Sequence, residues 1–195
     1  LVVPVPESGR HYATGYASES GIPLDEGIMK DKDERSFIQQ TQESRDKVVE
    51  EGLSYLRSVL RDKRVVVIDD SIVRGTNMRK LVDGIRDAGA KEVHVRIGCP
   101  PLVAPCYLGI DMRSKKEFIA RKKNGEIKTV EEINKDIGAD SLAYTSIKSL
   151  KKAIGFETCR GCIEFPNGYP KDMIEDVKRL FKQDKKGKRA YSVMQ

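Results

Sequence analysis

Asp69 and Asp70 stand side by side at the end of the apolar run Val65-Val66-Val67-Ile68, and Ser71, Arg74, Gly75, Thr76 and Asn77 follow directly. Adjacent carboxylates on a rigid strand end can accept hydrogen bonds from two neighbouring hydroxyls, such as a ribose 2′,3′-diol, or help to hold a hydrated Mg²⁺. The residues that follow are donors. Hydroxyls and backbone N–H groups just before a helix form an anion site, which the positive end of the helix dipole strengthens. Gly75 lets backbone approach a phosphate closely. Acceptors for a diol therefore stand beside donors for a phosphate, and a ribose 5-phosphate satisfies both. For an isolated Asp-Asp pair, an acidic strand end before an ordinary helix cap is the plainer account. The register of Ser71, Arg74-Gly75-Thr76 and the helix favours the sugar phosphate.

The elements around this stretch position it. An unbroken β-branched run reads as a strand buried on both faces. From Met78 the apolar residues Leu81, Val82, Ile85 and Ala88 fall at helical spacing, and Gly89 suits the helix C′ position. Val93 to Ile97 starts a second strand. Open parallel sheets take ligands at the carboxyl ends of such strands. Upstream, the stretch from Leu1 begins inside another strand. Glu7-Ser8-Gly9 ends it before a helix faced by Tyr12, Ala13, Tyr16 and Ala17, which makes a second anion loop. His11 reads as a surface residue. Residues 29–52 are polar with few apolar anchors and read as a mobile loop leading into a helix from Ser44 to Arg61. Asp111 to Lys123 reads as a basic helix. Thr129 and Glu132 form a capping box, and Met173, Ile174, Val177, Leu180 and Phe181 mark a last amphipathic helix before a loose tail, Lys185 to Gln195.

Composition bounds the rest. The 195 residues suit one domain, and no apolar run is long enough to span a membrane. No secretory signal opens the chain, and the expected compartment is the cytoplasm. The net charge of +6 fits an anionic substrate, and no zinc-finger or RNA-binding aromatic pattern accompanies it, so nucleic acid is the weaker partner. The four cysteines point to metal or chemistry rather than disulfides. Cys159-Arg-Gly-Cys162 supplies two thiolates at metal-binding spacing, but a complete site takes four ligands. Zinc, an iron–sulfur cluster, a redox pair and simple burial all remain open on spacing alone.

Val67-Ile-Asp-Asp-Ser-Ile-Val-Arg-Gly-Thr76 resembles the phosphoribosyl pyrophosphate (PRPP) motif of the type I phosphoribosyltransferases, and in wording the amidophosphoribosyltransferase branch. The similarity continues through Ala88-Gly-Ala-Lys-Glu-Val-His-Val-Arg96, Cys99-Pro-Pro101, Pro105 to Asp111, Ile137-Gly-Ala-Asp140 and Cys159 to Cys162. It implies an α/β fold, a mostly parallel sheet flanked by helices with a C-terminal helical extension. Residues 1–170 would be the transferase domain, lacking its first strand, and 171–195 a helix and basic tail. A glutaminase domain would be supplied in cis or in trans.

The resemblance further implies that Asp69 and Asp70 hold the ribose hydroxyls, with Mg²⁺ near them. Ser71, Arg74, Gly75, Thr76 and Asn77 would surround the 5-phosphate. Glu7, Ser8 and Gly9 would meet the pyrophosphate, Glu7 standing where Asp is more usual. Lys30, Arg35, Ser36, Phe37, Ile38, Gln42 and Arg45 align with a closing lid, in which Lys30 and Arg35 are catalytic candidates. That lid is one residue shorter here and lacks the family's Tyr and Gly, and the basic pair after it is replaced in Val49-Glu-Glu-Gly-Leu53. Cys106, Cys159 and Cys162 match three ligands of a [4Fe–4S] cluster, the fourth lying upstream or being replaced by Cys99. The implied reaction displaces pyrophosphate from PRPP with ammonia derived from glutamine, in a homo-oligomer. A nucleobase salvage transferase and a non-catalytic PRPP sensor that binds nucleic acid are the alternatives.

Overall fold

A computed structural model describes residues 1–30, 47–50, 52–110 and 115–183. They form two compact units. The first takes Leu1–Asp70, Thr76–Gly98 and Asn134–Tyr144; the second takes Ser71–Gly75, Cys99–Ile133 and the residues from Thr145 onward.

The first unit is built on a parallel sheet of β1 (Val2–Pro4), β5 (Arg64–Asp69), β6 (Glu92–Ile97) and β7 (Ser141–Tyr144), in the order β1-β5-β6-β7. The register aligns Val3 with Val67, Val67 with Val95 and Val95 with Leu142. Val65, Val67 and Ile68 are buried as expected, while Val66 is half-buried. Helix α1 (Arg10–Ser20) covers Val2 and Ile68 with Ala13. It ends at Gly21, whose φ of 68° is left-handed, the usual glycine stop. The helix Gly75–Asp87 buries Met78, Leu81, Val82 and Ile85, the stripe that their spacing predicts. On β6, Val93, Val95 and Ile97 are buried, while Glu92, His94 and Arg96 face the other way, half-exposed. There His94 is held between Glu92 and Ser141 at 2.9 Å each.

A small antiparallel sheet, β2 (Ile28–Lys30), β4 (Leu53–Leu56) and β3 (Lys47–Glu50), has β4 in the middle. This corrects the helix expected over residues 44–61. Among the described residues of that span only α2 (Arg57–Leu60) is helical. Val49, Leu53, Leu56 and Leu60 do fall at helical spacing, but Gly52 takes a φ of +79° and turns the chain between β3 and β4. Strand pairing across that turn outweighs the helical periodicity. The expected lid residues Arg35, Ser36, Phe37, Ile38, Gln42 and Arg45 lie outside the described residues, as does the tail from Lys185.

With the Gly75–Asp87 helix numbered α3, the later helices are α4 (Val130–Ile137), α5 (Ile147–Ile154) and α6 (Ile174–Gln183). The capping box forms as read: the Thr129 N–H donates to Glu132 at 2.8 Å, and the Glu132 N–H donates to Thr129 Oγ1 at 3.2 Å. A single 3-10 turn, Lys115–Glu117, stands where a basic helix was expected over 111–123. The chain then turns back, and Arg121 bridges Ile127. In the second unit α6 packs Val177, Leu180 and Phe181 onto a core of Tyr107 and Tyr169, with Phe165 and Met173 beside it. No helix among the described residues is long and apolar enough to cross a membrane.

Candidate functional site

In the first unit the two loops singled out by sequence meet. Asp69 ends β5, next to β1, and its Oδ1 accepts the Ser8 hydroxyl at 2.7 Å and the Asp70 N–H at 2.8 Å. The loop Glu7-Ser8-Gly9 is thus fastened to the carboxylate pair. Gly9 is buried and caps α1 with an ordinary φ of −80°, so conformational freedom is not why glycine stands there. A Cβ on Gly9 would fall on the Ile68 carbonyl oxygen and lie 2.8 Å from the Val5 nitrogen. Close approach of two backbones is the requirement. Thr76 and Asn77 are exposed on the first turn of α3, and Lys30 is exposed at the end of β2.

Sequence reasoning passed over Arg10. Its guanidinium ion-pairs with Glu7 at 3.0 Å and with Glu26 at 2.6 Å, and its Nη2 donates to the other Glu26 oxygen at 3.0 Å. The pair ties the loop's acidic residue to the segment entering β2. Its position immediately after Glu7-Ser8-Gly9 was the available signal.

Asp69 is electrostatically costly where it stands. Burial, helped by the neighbouring Asp70 carboxylate, pushes its carboxyl from an ordinary 3.8 up to about 6, although the Ser8 hydroxyl and the Asp70 backbone N–H act in the opposite direction. The folded protein therefore holds the Asp69 proton more tightly than the unfolded chain does. Below about pH 3 both states are protonated and no penalty exists. As the pH rises towards about 6 the unfolded chain ionises first and stability is lost. A Asp69→Asn variant keeps Oδ1 for both donors and removes the titration. It is expected to unfold about 2 kcal/mol later than the wild type near neutral pH, the equivalent of somewhat less than the full shift. The gain should shrink to nothing near pH 3. Denaturant unfolding at the two pH values checks it, and a gain that does not depend on pH would contradict the assignment.

In the second unit, Ser71 and Arg74 lie on the stretch leading to α3, and Gly75 is the first residue of that helix. Arg74 ion-pairs with Glu117, and the Ile119 N–H donates to the Val73 carbonyl at 2.9 Å. A Cβ on Gly75 would strike the Ile119 side chain. Glu117 gives no sign of this partnership in the sequence, because its spacing from Arg74 follows no local motif.

The cysteines also lie in the second unit. None forms a disulfide. Cys106 is buried, Cys162 half-buried and Cys159 exposed. Burial, followed by the neighbouring Cys106 and Cys159 thiols, pushes the Cys162 thiol up to about 11. The Cys162 carbonyl accepts the Val103 and Ala104 N–H groups at 2.8 and 3.1 Å, joining the Cys-x-x-Cys loop to the proline-rich loop. Tyr169 bridges the Pro105 carbonyl and the Tyr107 N–H. Three expected thiols are thus neighbours, whereas Cys99 turns its own to the Pro100 carbonyl at 3.2 Å. Among the described residues no three His, Cys, Asp or Glu side chains converge closely enough to hold a metal ion.

A carboxylate pair at the carboxyl end of a parallel strand, fastened to a second loop at a helix start, offers acceptors for a sugar diol beside an anion site, which suits a sugar-phosphate transferase. The phosphoribosyl transferase domain family matches residues 1–104, and the chain belongs to it. Its curated relatives narrow the class. It is 50% identical over 181 residues to the amidophosphoribosyltransferase of Methanothermobacter thermautotrophicus, covering 90% of this chain and 37% of that protein. With the enzyme of the same name from Methanocaldococcus jannaschii it shares 51% identity over 165 residues, 84% of this chain and 34% of the relative. A solved glutamine PRPP amidotransferase from B. subtilis, in complex with ADP and GMP, superimposes with a TM-score of 0.69 at 42% identity. The match covers 84% of this chain and 36% of that one. The expected type I phosphoribosyltransferase fold is therefore present, and the chain spans about a third of the length of these relatives.

Proposed function

We propose that this chain is the transferase part of an amidophosphoribosyltransferase, with residues 1–170 as its transferase domain. Ammonia attacks C1 of PRPP, the C–N bond forms as the bond to the pyrophosphate oxygen breaks, and the nitrogen gives up a proton to solvent. The product is 5-phosphoribosylamine, with inversion, the first step of purine biosynthesis. The observation that carries this reading is Asp69 at the end of β5, held by Ser8 of the second loop at 2.7 Å, within a chain half identical to enzymes of that name.

Each residue then has a role. Asp69 and Asp70 accept the ribose hydroxyls and fix the ring. Ser71, Arg74, Gly75, Thr76 and Asn77 donate to the 5-phosphate at the start of α3. The Glu7-Ser8-Gly9 loop faces the pyrophosphate. Lys30 and Arg35 balance the charge of the leaving group, Arg35 by resemblance alone. Such a transition state is oxocarbenium-like, so positioning and fixed charge supply most of the acceleration. Two adjacent carboxylates suit Mg²⁺, which would neutralise the diphosphate when bound.

The cysteines fit a cluster only in part. Cys106, Cys159 and Cys162 supply three thiols, a fourth must come from Cys99 or another segment, and burial favours the protonated Cys162. The residues as placed do not complete a [4Fe–4S] or zinc site. A glutaminase domain in cis or in trans supplies ammonia, and the assembly is a homo-oligomer in the cytoplasm.

The test is calorimetric titration with PRPP and Mg²⁺, followed by pyrophosphate release with ammonium or with free nucleobases as acceptor. Binding with release driven by ammonium alone is expected. Release driven by a nucleobase would establish a salvage transferase. Failure to bind PRPP would overturn the reading, and if tight, salt-dependent RNA binding accompanied it, a nucleic-acid-binding regulator would take its place.

A further inference from the structure

Three consecutive residues at the entry to α3, Val73 to Gly75, are tied to one short segment of their own unit. Val73 accepts the Ile119 N–H at 2.9 Å. Arg74 pairs with Glu117. Gly75 has the Ile119 side chain where a Cβ would stand. The tying segment is itself anchored, since Phe118, Ile119 and Ala120 are buried. Glu117 and Arg74 are about one-third exposed, with side-chain values of 30% and 38%, which leaves solvent and ligand access to the pair.

A phosphate loop works through donors already aimed at the anion, and aiming them takes fixed contacts. Glu117 engages Arg74 through Nη2, one nitrogen of a planar fork that carries five N–H donors. A carboxylate in this place would be a poor choice if only charge mattered, because it offsets the cation that an anionic ligand needs. Its value lies in orientation.

We infer that Glu117 is a positioning residue for the 5-phosphate, acting through Arg74, and that with Ile119 it holds residues 73–75 in binding geometry. The inference rests on the proposed assignment of this stretch to the phosphate.

The experiment titrates the intact protein with ribose 5-phosphate and, separately, with pyrophosphate, in the wild type, Glu117→Gln, Glu117→Asp, Arg74→Gln and the Arg74→Gln/Glu117→Gln double variant. Glu117→Gln should weaken ribose 5-phosphate about fivefold, in the range of one partly exposed ion pair, and leave pyrophosphate unchanged. Glu117→Asp, which keeps the charge, should recover part of the loss, and the double variant should be no worse than Arg74→Gln. Unchanged or tighter ribose 5-phosphate binding in Glu117→Gln would mean that Glu117 only neutralises Arg74, and would overturn the inference. An equal loss of both ligands would reduce Glu117 to general stability and overturn it too. Absence of ribose 5-phosphate binding in the wild type would instead remove the phosphate assignment, and the inference with it.

Discussion

Asp70→Ala and Thr76→Ala should each lower affinity for PRPP roughly tenfold or more. The two residues stand on opposite sides of one short stretch, Asp70 after the end of β5 and Thr76 on the first turn of α3. A hydrogen bond between a ribose hydroxyl and an ionised carboxylate contributes about 1.5–3 kcal/mol, and RT ln 10 is about 1.4 kcal/mol, so losing one such bond reaches the tenfold level. Thr76 is exposed, so its loss should not unfold the chain. The ligand series separates the roles. Ribose 5-phosphate should lose affinity in both variants, whereas inorganic pyrophosphate should bind Thr76→Ala as well as it binds the wild type. Wild-type affinity for ribose 5-phosphate in both variants would defeat the assignment of the whole stretch.

Gly9→Ala should be the most damaging single-atom change in the first unit. The added methyl meets backbone on two sides, the Ile68 carbonyl and the Val5 nitrogen, and backbone cannot rotate aside as a side chain would. The surrounding bonds leave little slack. The Val5 N–H donates to Ile68 at 2.9 Å, the Gly9 N–H to Val5 at 2.8 Å and the Ala13 N–H to Gly9 at 2.9 Å. Relief requires parting β1 from β5 or breaking the start of α1. A loss of about 3 kcal/mol is expected, at the upper end for overpacking, with a fall in Tm of roughly 6 to 12 °C. Because Ile68 precedes Asp69, the residual folded protein should also bind PRPP poorly. A melting curve superimposable on the wild type would show that the two backbones are not in contact.

The parts of the fold that could be read ahead were those in which two local signals agreed. The strand Arg64–Asp69 had both a β-branched run and a polar terminus, and α3 had a 3.6-residue stripe with Gly89 behind it. The turn at Gly89, with a φ of 99°, closes the helix as its residue type foretold. Residues 44–61 carried signals that conflicted. The four apolar residues from Val49 to Leu60 satisfy a helix, while Val48, Val49 and Gly52 satisfy a hairpin. Only the partner strand β2, twenty residues upstream or more, decides between them. Non-local pairing of that kind leaves no mark in a local window.

The candidate site shows the same division. Residue type and order pointed to Asp69, Asp70, Ser8 and Gly9, because diols and phosphates demand acceptors and donors in a short span. The reason Gly9 must be glycine was not readable, since it depends on Ile68, a strand away. Arg10 with Glu26 and Arg74 with Glu117 were invisible for the same reason. Each pairing links residues whose closeness is created by the fold.

Tyr55 lies almost wholly buried in β4, and its ring occupies the place where a Cβ on Gly84 of α3 would project. This is a notch and a key. A helix sliding past β4 would have to displace the ring, so Gly84 and Tyr55 fix the seating of α3 at this point. The strands on either side of residues 31–46 both register on β4. The Tyr55 ring on that shared strand thus meets the same helix whose first turn presents Thr76 and Asn77.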